Sequence, residues 1–481
     1  MLKSNYLKNW GLLTLTEVIG QVLSLIIVLK ITRILSIEDY GLYVFIISLA
    51  NFWSVFSFLG MKNIIVRRIA TLECSIGELL SSVLLLRILS SVFVFIILFL
   101  YIYFLTDKYS YQIIIYTSLL ILLNNIFDIL SSFALGKNEI KFIAFSNLIY
   151  YILWFTIIIL LPRHLLNIEL ILTSNLVSLF IKSSIIFMLM YNKRFFDTIN
   201  KFNLKKLLEL LKESAPFLWI SILTTFTTSL PVLFLENNSS VKEVGIYNIG
   251  NRFTVPLMLL IETAMTSFYP IANFLYSMQK NRFLKDIRKY FLLYIYLSIM
   301  FVLIMNIISK PLIIILFGYK YYVSASVFNC QLWVVFFHGL FHFIGVILVA
   351  SKNDFLIAKQ KSFFGLLTIP FSFGGAYYGA RGLSIGLIVS SFLSLFYYLW
   401  SINKIESLIF IKNFQGLFLF YLCISILASL LYTYNVLNSL EFFFIILIIL
   451  ILPIFNKKLK IKETIFNSIN LFLNLCVIRK N

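Results

Sequence analysis

Ser36-Ile-Glu-Asp-Tyr-Gly-Leu-Tyr43 is written twice in this chain. Its second copy, Ser240-Val-Lys-Glu-Val-Gly-Ile-Tyr247, keeps the serine, the glycine and the final tyrosine in register, with a carboxylate at Asp39 and at Glu243. Upstream, Leu7-Lys8 answers Leu211-Lys212 at the same offset, each just ahead of a long apolar run. Downstream, with some drift in register, Gly136-Lys-Asn-Glu139 answers Ser351-Lys-Asn-Asp354, and Ile168-Glu-Leu-Ile171 answers Ile385-Gly-Leu-Ile388. Short apolar words recur by chance in so biased a sequence, but four matches in one order define a unit of about 200 residues present twice. Such a repeat fixes the fold before any local detail does.

The solvent of that fold is a bilayer. With 61% hydrophobic residues, 12% charged and 50 Phe in 481, the chain is too apolar for a soluble globular protein. A span needs about 20 apolar residues as a helix, and by that rule the chain reads as all-α with about 14 spans. They run near 10–34, 40–61, 80–105, 112–135, 141–161, 167–191, 215–235, 245–269, 288–309, 326–350, 359–379, 383–402, 415–434 and 440–455. The segment Pro311 to Tyr322 is apolar but broken by Gly318 and reads as a partly inserted turn. The first run continues from Lys8 to Ile34 without a small-residue cleavage site and reads as a retained helix.

A net charge of +20 would suggest nucleic acid in a soluble protein. Here the basic residues sit in short loops, and most of the 40 Lys and Arg residues fall in the segments that lie inside if the N-terminus is cytoplasmic. Nucleic acid is therefore not a partner, and both termini are expected in the cytoplasm. An even number of spans per repeat inserts the two halves in the same orientation, related by a pseudo-twofold along the membrane normal across a central cleft. The expected organisation is a six-helix lobe over 1–191, a cytoplasmic amphipathic linker over 192–214, a second six-helix lobe over 215–403, an added helix pair over 404–456 and a basic tail over 457–481. In the linker Phe202, Leu204, Leu207, Leu208 and Leu211 alternate with Lys201, Lys205, Lys206 and Lys212 at helical spacing, a basic face for the inner leaflet.

Charges inside spans are costly and mark a cavity or a partner. The cationic set is Lys30 and Arg33 at the outer end of the first span, Arg87, Lys182 and Arg252. If these face the cleft it has a basic lining suited to an anionic, phosphate-bearing cargo. Arg87, Lys182 and Arg252 are the leading head-group ligands and Arg33 a fourth; the alternative for each is anchoring, snorkelling or structural pairing. The acidic set is Glu17, Asp128 beside Asn124 and Asn125, and Glu262. Asn124 and Asp128 share a helix face. Asp128 and Glu17 are candidates for coupling to H⁺ or Na⁺, unless they pair with the basic groups. His338 and His342 stand one turn apart, but with no HExxH and no acidic ligand expected nearby they read as packing or lumen lining, and no metal is expected. Cys74, Cys330, Cys423 and Cys476 have no paired spacing and imply neither disulfides nor a metal site. P-loop, GxGxxG, GxSxG and Cys-x-x-Cys signatures are absent, so the chain reads as a non-enzyme with no cofactor and no direct use of ATP.

Arg33-Ile-Leu-Ser-Ile-Glu-Asp-Tyr-Gly-Leu-Tyr43, Phe58-Leu-Gly60 and Val66-Arg-Arg-Ile-Ala70, with Gly245-Ile-Tyr247, Leu316-Phe-Gly318, Tyr321 and Ala325 in the second half, resemble the polysaccharide-biosynthesis branch of the multidrug/oligosaccharidyl-lipid/polysaccharide exporter superfamily, the Wzx-type O-antigen flippases. The likeness runs nearly end to end. It implies a V-shaped MATE-like bundle of two six-helix lobes alternating between inward-open and outward-open states. It also implies an undecaprenyl-pyrophosphate-linked oligosaccharide, for O-antigen or capsule, carried to the outer leaflet of the bacterial plasma membrane, with polysaccharide polymerase machinery as a neighbour. Glu17 does not match the carboxylate pattern of the drug-exporting members, which disfavours a cationic-drug cargo. A peptidoglycan-precursor flippase stays open as a second cargo, and a membrane-embedded polymerase or ligase is the alternative from another class. Such an enzyme is expected to carry a long outer loop that this chain lacks.

Overall fold

The Ser36 side chain starts a helix by supplying an acceptor that the backbone otherwise lacks. Its Oγ accepts the Asp39 N–H at 3.0 Å and donates to Asp39 Oδ2 at 2.7 Å, and Glu38 and Asp39 place negative charge in the first turn. The second copy does the same with Ser240, whose Oγ accepts the Glu243 N–H at 3.3 Å. The repeated word is thus a helix start, and its tyrosines, Tyr43 and Tyr247, are both buried. A second repeated word is a helix stop. After Gly136 the N–H groups of Asn138 and Glu139 return to Leu135 and Ala134, with Asn138 at φ 61°. After Ala350 those of Lys352 and Asn353 return to Val349 and Leu348, with Lys352 at φ 59°. Both are Schellman stops, and the left-handed residue falls one place earlier in the second copy than the sequence match suggests.

The computed structural model describes residues 2–71, 76–103, 111–192, 204–278, 280–405 and 415–434, with 436, 441, 442 and 445. The expected span over 440–455, the basic tail over 457–481, linker residues 193–203, Cys74 and Cys476 lie outside the described residues or almost wholly so. The fold is all-α among the described residues. The helices are α1 (Leu2–Ile34), α2 (Ile37–Phe58), α3 (Lys62–Ala70), α4 (Ile76–Tyr103), α5 (Tyr111–Gly136), α6 (Ile140–Leu160), α7 (Ile168–Asn192), α8 (Leu204–Thr228), α9 (Leu230–Asn238), α10 (Val241–Asn251), α11 (Thr254–Met278), α12 (Lys280–Phe317), α13 (Ser324–Ala350), α14 (Asp354–Ala376), α15 (Gly379–Ile405) and α16 (Gln415–Thr433). Ten of the helices, with α10 and the start of α11 taken as one, are long and apolar enough to cross a membrane, and the pair α8 and α9, bent by 42°, makes an eleventh. The expected count of about 14 is not reached among these residues. The described apolar stretch of α16 is short, and α14, which begins Asp354 and carries Lys359 and Lys361 early, does not qualify.

Two further expectations change. Pro311 does not break the chain into a turn: α12 runs through it to Phe317, and the reversal comes at Gly318, whose φ of 93° only glycine adopts easily. The described part of the linker, residues 204–214, continues into the following span as one helix, α8, which ends at Thr228, and the bend comes at Ser229 before Pro231. The apolar face of α8 does not lie on lipid throughout: Leu207 and Leu210 are buried in a protein core with Ile64, Ile65, Leu79, Val83, Ile129 and Phe133. Glu213 fastens α8 to α3, accepting from Arg67 and from Arg68 at 2.7 Å each.

Packing divides the chain into Met1–Gly245 and Ile246–Asn481. In the first unit α1 packs on α6, α6 on α7, and α5 on α2, α3 and α7. There Gly41 and Gly245, the repeated glycines, face each other's helix: a Cβ on Gly245 would sit 2.6 Å from the Ile37 carbonyl oxygen, and one on Gly41 would overlap that of Val241. In the second unit α13 is buried along almost its whole length, Trp333, Phe337 and Leu340 fully, between α11, α12 and α15. α14 and α15 form a close hairpin in which Gly375, Gly382 and Gly386 meet backbone directly. The outer faces are apolar, as along α4 at Ile88, Leu89, Val92 and Phe93. That is the surface a bilayer wets.

Lys30 has a structural task. Its Nζ donates to the carbonyl oxygens of Ile158, Ile159 and Leu161 at 2.8, 2.9 and 2.9 Å, closing the C-terminus of α6 where four carbonyls lack partners. Lys30→Met is expected to cost about 1–2 kcal/mol, read as a lowered melting temperature of the purified chain, whereas Lys30→Arg should stay near wild type.

Candidate functional site

Two polar clusters in the interior of the first unit share helix α5. In the first, α4 carries Arg87 at 1% exposure. Its Nη2 donates to Asp128 Oδ2 at 2.7 Å and its Nη1 to Asn125 Oδ1 at 2.8 Å, while the guanidinium carbon lies 5.1 Å from the Phe58 ring centre. The Asn125 amide then donates to the hydroxyls of Ser57 and Ser91 at 2.7 and 2.6 Å, and Ser90 donates to the Ser57 carbonyl at 2.9 Å. This network ties α2, α4 and α5 together. Asn125 is the amide that joins Asp128 on the arginine, where the sequence singled out Asn124. Arg87 and Asp128 are therefore each other's partner here, so neither is an unpaired lining charge. Burial of a cation in an apolar span leaves little choice: it needs a counter-charge and hydrogen bonds. The Arg87 Nε is buried and has no hydrogen-bond partner among the described residues.

The second cluster is built on α7, α6 and α1. Lys182 places its Nζ 3.7 Å from the centre of the Phe127 ring and 5.1 Å from that of Tyr150. Phe127 is the neighbour of Asp128 on α5, so the Arg87 pair holds the helix that carries this aromatic face. The Tyr150 hydroxyl donates to Asn175 Oδ1 at 3.2 Å, and Asn147 Nδ2 donates to Glu17 Oε1 at 3.0 Å. The Glu17 carboxylate is within Coulombic reach of the Lys182 ammonium. Among the described residues no carboxylate lies within ion-pair distance of Lys182. The ammonium is held on aromatic faces, an arrangement that orients a cation while leaving its N–H donors for an anion. α1 approaches α6 closely enough for this because Gly20 faces the Tyr151 ring.

The other two cations sit elsewhere. Arg33 is in the last turn of α1, exposed, where positive charge complements the helix dipole. Arg252 lies at the break between α10 and α11 in the second unit, half-buried, with its N–H on the Ile249 carbonyl. Both have interactions of their own. Phe127, Asn147 and Tyr150 escaped the sequence reading. Aromatic residues make up 17% of the chain and carry no mark of their role, and Asn147 has no charge to single it out.

In the second unit the two histidines acquire the acidic neighbour that their sequence surroundings lack. Glu262, on α11, places Oε1 3.1 Å from His338 Nε2 and 3.7 Å from His342 Nε2, both on α13. The expectation that no acidic group lies beside them is overturned, because packing of α11 on α13 supplies one from 76 residues away. The same helices and α12 line an apolar cavity of about 290 Å³, bounded by Leu257, Leu260, Tyr294, Phe301, Leu332 and Phe336.

Residues 6–273 match the family described as Polysaccharide biosynthesis protein. The capsular polysaccharide biosynthesis protein CapF of Staphylococcus aureus is 23% identical over 419 residues, which is 83% of this chain and 99% of CapF. In three dimensions the chain is similar to the lipid II flippase MurJ in an inward closed conformation, with a TM-score of 0.66 at 14% identity over 92% of this chain and 97% of MurJ. It is also similar to an inward-facing multidrug resistance MATE family transporter of the MOP superfamily, with a TM-score of 0.61 at 13% identity over 81% and 96%. At such identities the likeness is one of fold, that of multi-pass membrane transporters.

Proposed function

We propose that this chain, which belongs to the polysaccharide biosynthesis protein family, is a flippase that carries a lipid-linked oligosaccharide across the plasma membrane. The cargo is an undecaprenyl-pyrophosphate-linked repeat unit for O-antigen or capsule, and the motion is alternating access between two lobes, with both termini cytoplasmic. The observation that carries the reading is Lys182: a cation inside a span, cradled by Phe127 and Tyr150 and without an ion-pair partner among the described residues. A group in that state is costly to keep in a membrane and is retained where an anion visits it. A pyrophosphate head group supplies that anion while its lipid tail stays in the bilayer. Glu17, hydrogen-bonded to Asn147 and within Coulombic reach of Lys182, is the group through which proton or Na⁺ coupling would run. Arg87 and Asp128 keep α5 and its aromatic face in place. Arg33 and Arg252 lie outside this cluster and are not needed for the reading. The membership in this family and the transporter fold support the class of cargo and the absence of a catalytic step.

The test is to delete the chromosomal copy and follow the leaflet on which the lipid-linked oligosaccharide accumulates. Complete units held on the cytoplasmic leaflet and released by the wild-type chain are the expected result. Lys182→Met at normal protein level should lower surface-polysaccharide output about tenfold or more, the size of one lost charge-assisted contact. Full output from Lys182→Met overturns the assignment of the site. Single units that face outward and never lengthen would instead identify a polymerase or ligase step.

A further inference from the structure

We propose that Glu262, His338 and His342 form a binding site for a divalent transition-metal ion of the zinc class. His338 and His342 lie one turn apart on α13 with ring centres 4.5 Å apart, the spacing that presents two imidazoles from one helix face. Glu262 reaches the same point from α11, and one ligand atom from each of the three residues lies within 4.8 Å of the others. Four-coordinate zinc with bonds of about 2.0–2.1 Å holds its ligand atoms about 3.3 Å from one another. The two observed nitrogen-to-oxygen distances, 3.1 and 3.7 Å, bracket that value. Side-chain rotation alone can complete the set, since both helices are fixed by the buried packing of α13.

The donor set selects the ion. Two imidazoles and one carboxylate suit Zn²⁺, Co²⁺, Ni²⁺ or Cu²⁺, whereas Na⁺, Mg²⁺ and Ca²⁺ prefer oxygen ligands alone. Three protein ligands leave a fourth position for water or for an oxygen of an anionic ligand. The three side chains are each partly exposed, so an ion can enter without unfolding the helix pair. Lys361 lies within Coulombic reach of the pair and opposes a cation there, and Glu262 offsets one of the two positive charges of the ion. Binding here is independent of the lipid-linked cargo and does not use Lys182, so its measurement requires no transport.

The full chain, purified in detergent on a tag without histidine and stripped with a chelator, is titrated with Co²⁺ and read by its visible absorption. One Co²⁺ per chain, with the intense bands of a low-coordinate ion and displacement by Zn²⁺, is expected. Glu262→Gln should weaken binding by about tenfold or more, and His338→Ala with His342→Ala should abolish it. His342→Cys keeps a ligand at the same place and should add a thiolate-to-cobalt charge-transfer band that the wild-type chain lacks. That variant decides the matter even if the double alanine variant fails to fold. No stoichiometric Co²⁺ binding by the wild-type chain, binding that survives the double substitution, or a His342→Cys spectrum identical to wild type overturns the site.

Discussion

Arg87→Ala is expected to destabilise the chain by about 3–5 kcal/mol, because it leaves Asp128 charged and unpaired among the span helices. The reason lies in the geometry: a guanidinium at 1% exposure gives one donor to Asp128 and one to Asn125, and Asn125 passes the contact on to Ser57 and Ser91. Removing the cation therefore disturbs α2, α4 and α5 together. Asp128→Ala should cost a similar amount, since it strands the more deeply buried member. The paired change Arg87→Met with Asp128→Leu should recover most of the loss, because it removes the desolvation cost along with the attraction. Thermal unfolding of the purified variants measures this, and a single variant that melts with the wild type would sink the buried-network account. The paired variant also separates support from contact with cargo. If it restores both melting and surface polysaccharide, Arg87 and Asp128 only hold α5; if melting returns and output does not, one of them meets the cargo.

The second large effect is expected at the repeated glycines. Gly41→Ala places a methyl group on the carbonyl oxygen of Val241, and backbone at that point cannot move aside as a side-chain tip can. The two helices must part, with a cost of about 3 kcal/mol or more and loss of folded protein from the membrane. Gly245→Ala meets the Ile37 carbonyl oxygen at 2.6 Å and should act in the same direction but less severely. Gly345→Ala is the control: it lies in α13 with nothing within 4 Å of the added carbon, and alanine in a helix interior gains up to about 1 kcal/mol. Membrane-extracted, folded yield by fluorescence-detected gel filtration ranks the three. Equal yields from Gly41→Ala and Gly345→Ala would mean that the helices are not held at this separation.

The sequence by itself determined the solvent and the elements. Apolar runs long enough for a bilayer give helices irrespective of what they pack on, since every backbone group in lipid must be satisfied within its own segment. The repeated words determined where helices begin and end, because a serine three residues ahead of a carboxylate and a left-handed residue after a last turn are local devices. The charged residues inside spans were legible as a set for the same reason, their cost being independent of neighbours. Tertiary structure decided what each charge does. It gave Lys30 to the end of α6, Arg87 to Asp128, Lys182 to two aromatic rings, and Glu262 to His338, 76 residues away, and to its neighbour His342. It also put Gly41 against the helix of its own second copy, so that a repeat visible as spelling became a contact. Such pairings depend on which helix faces come together, and in spans this uniformly apolar nothing in the spacing along the chain marks one face from another.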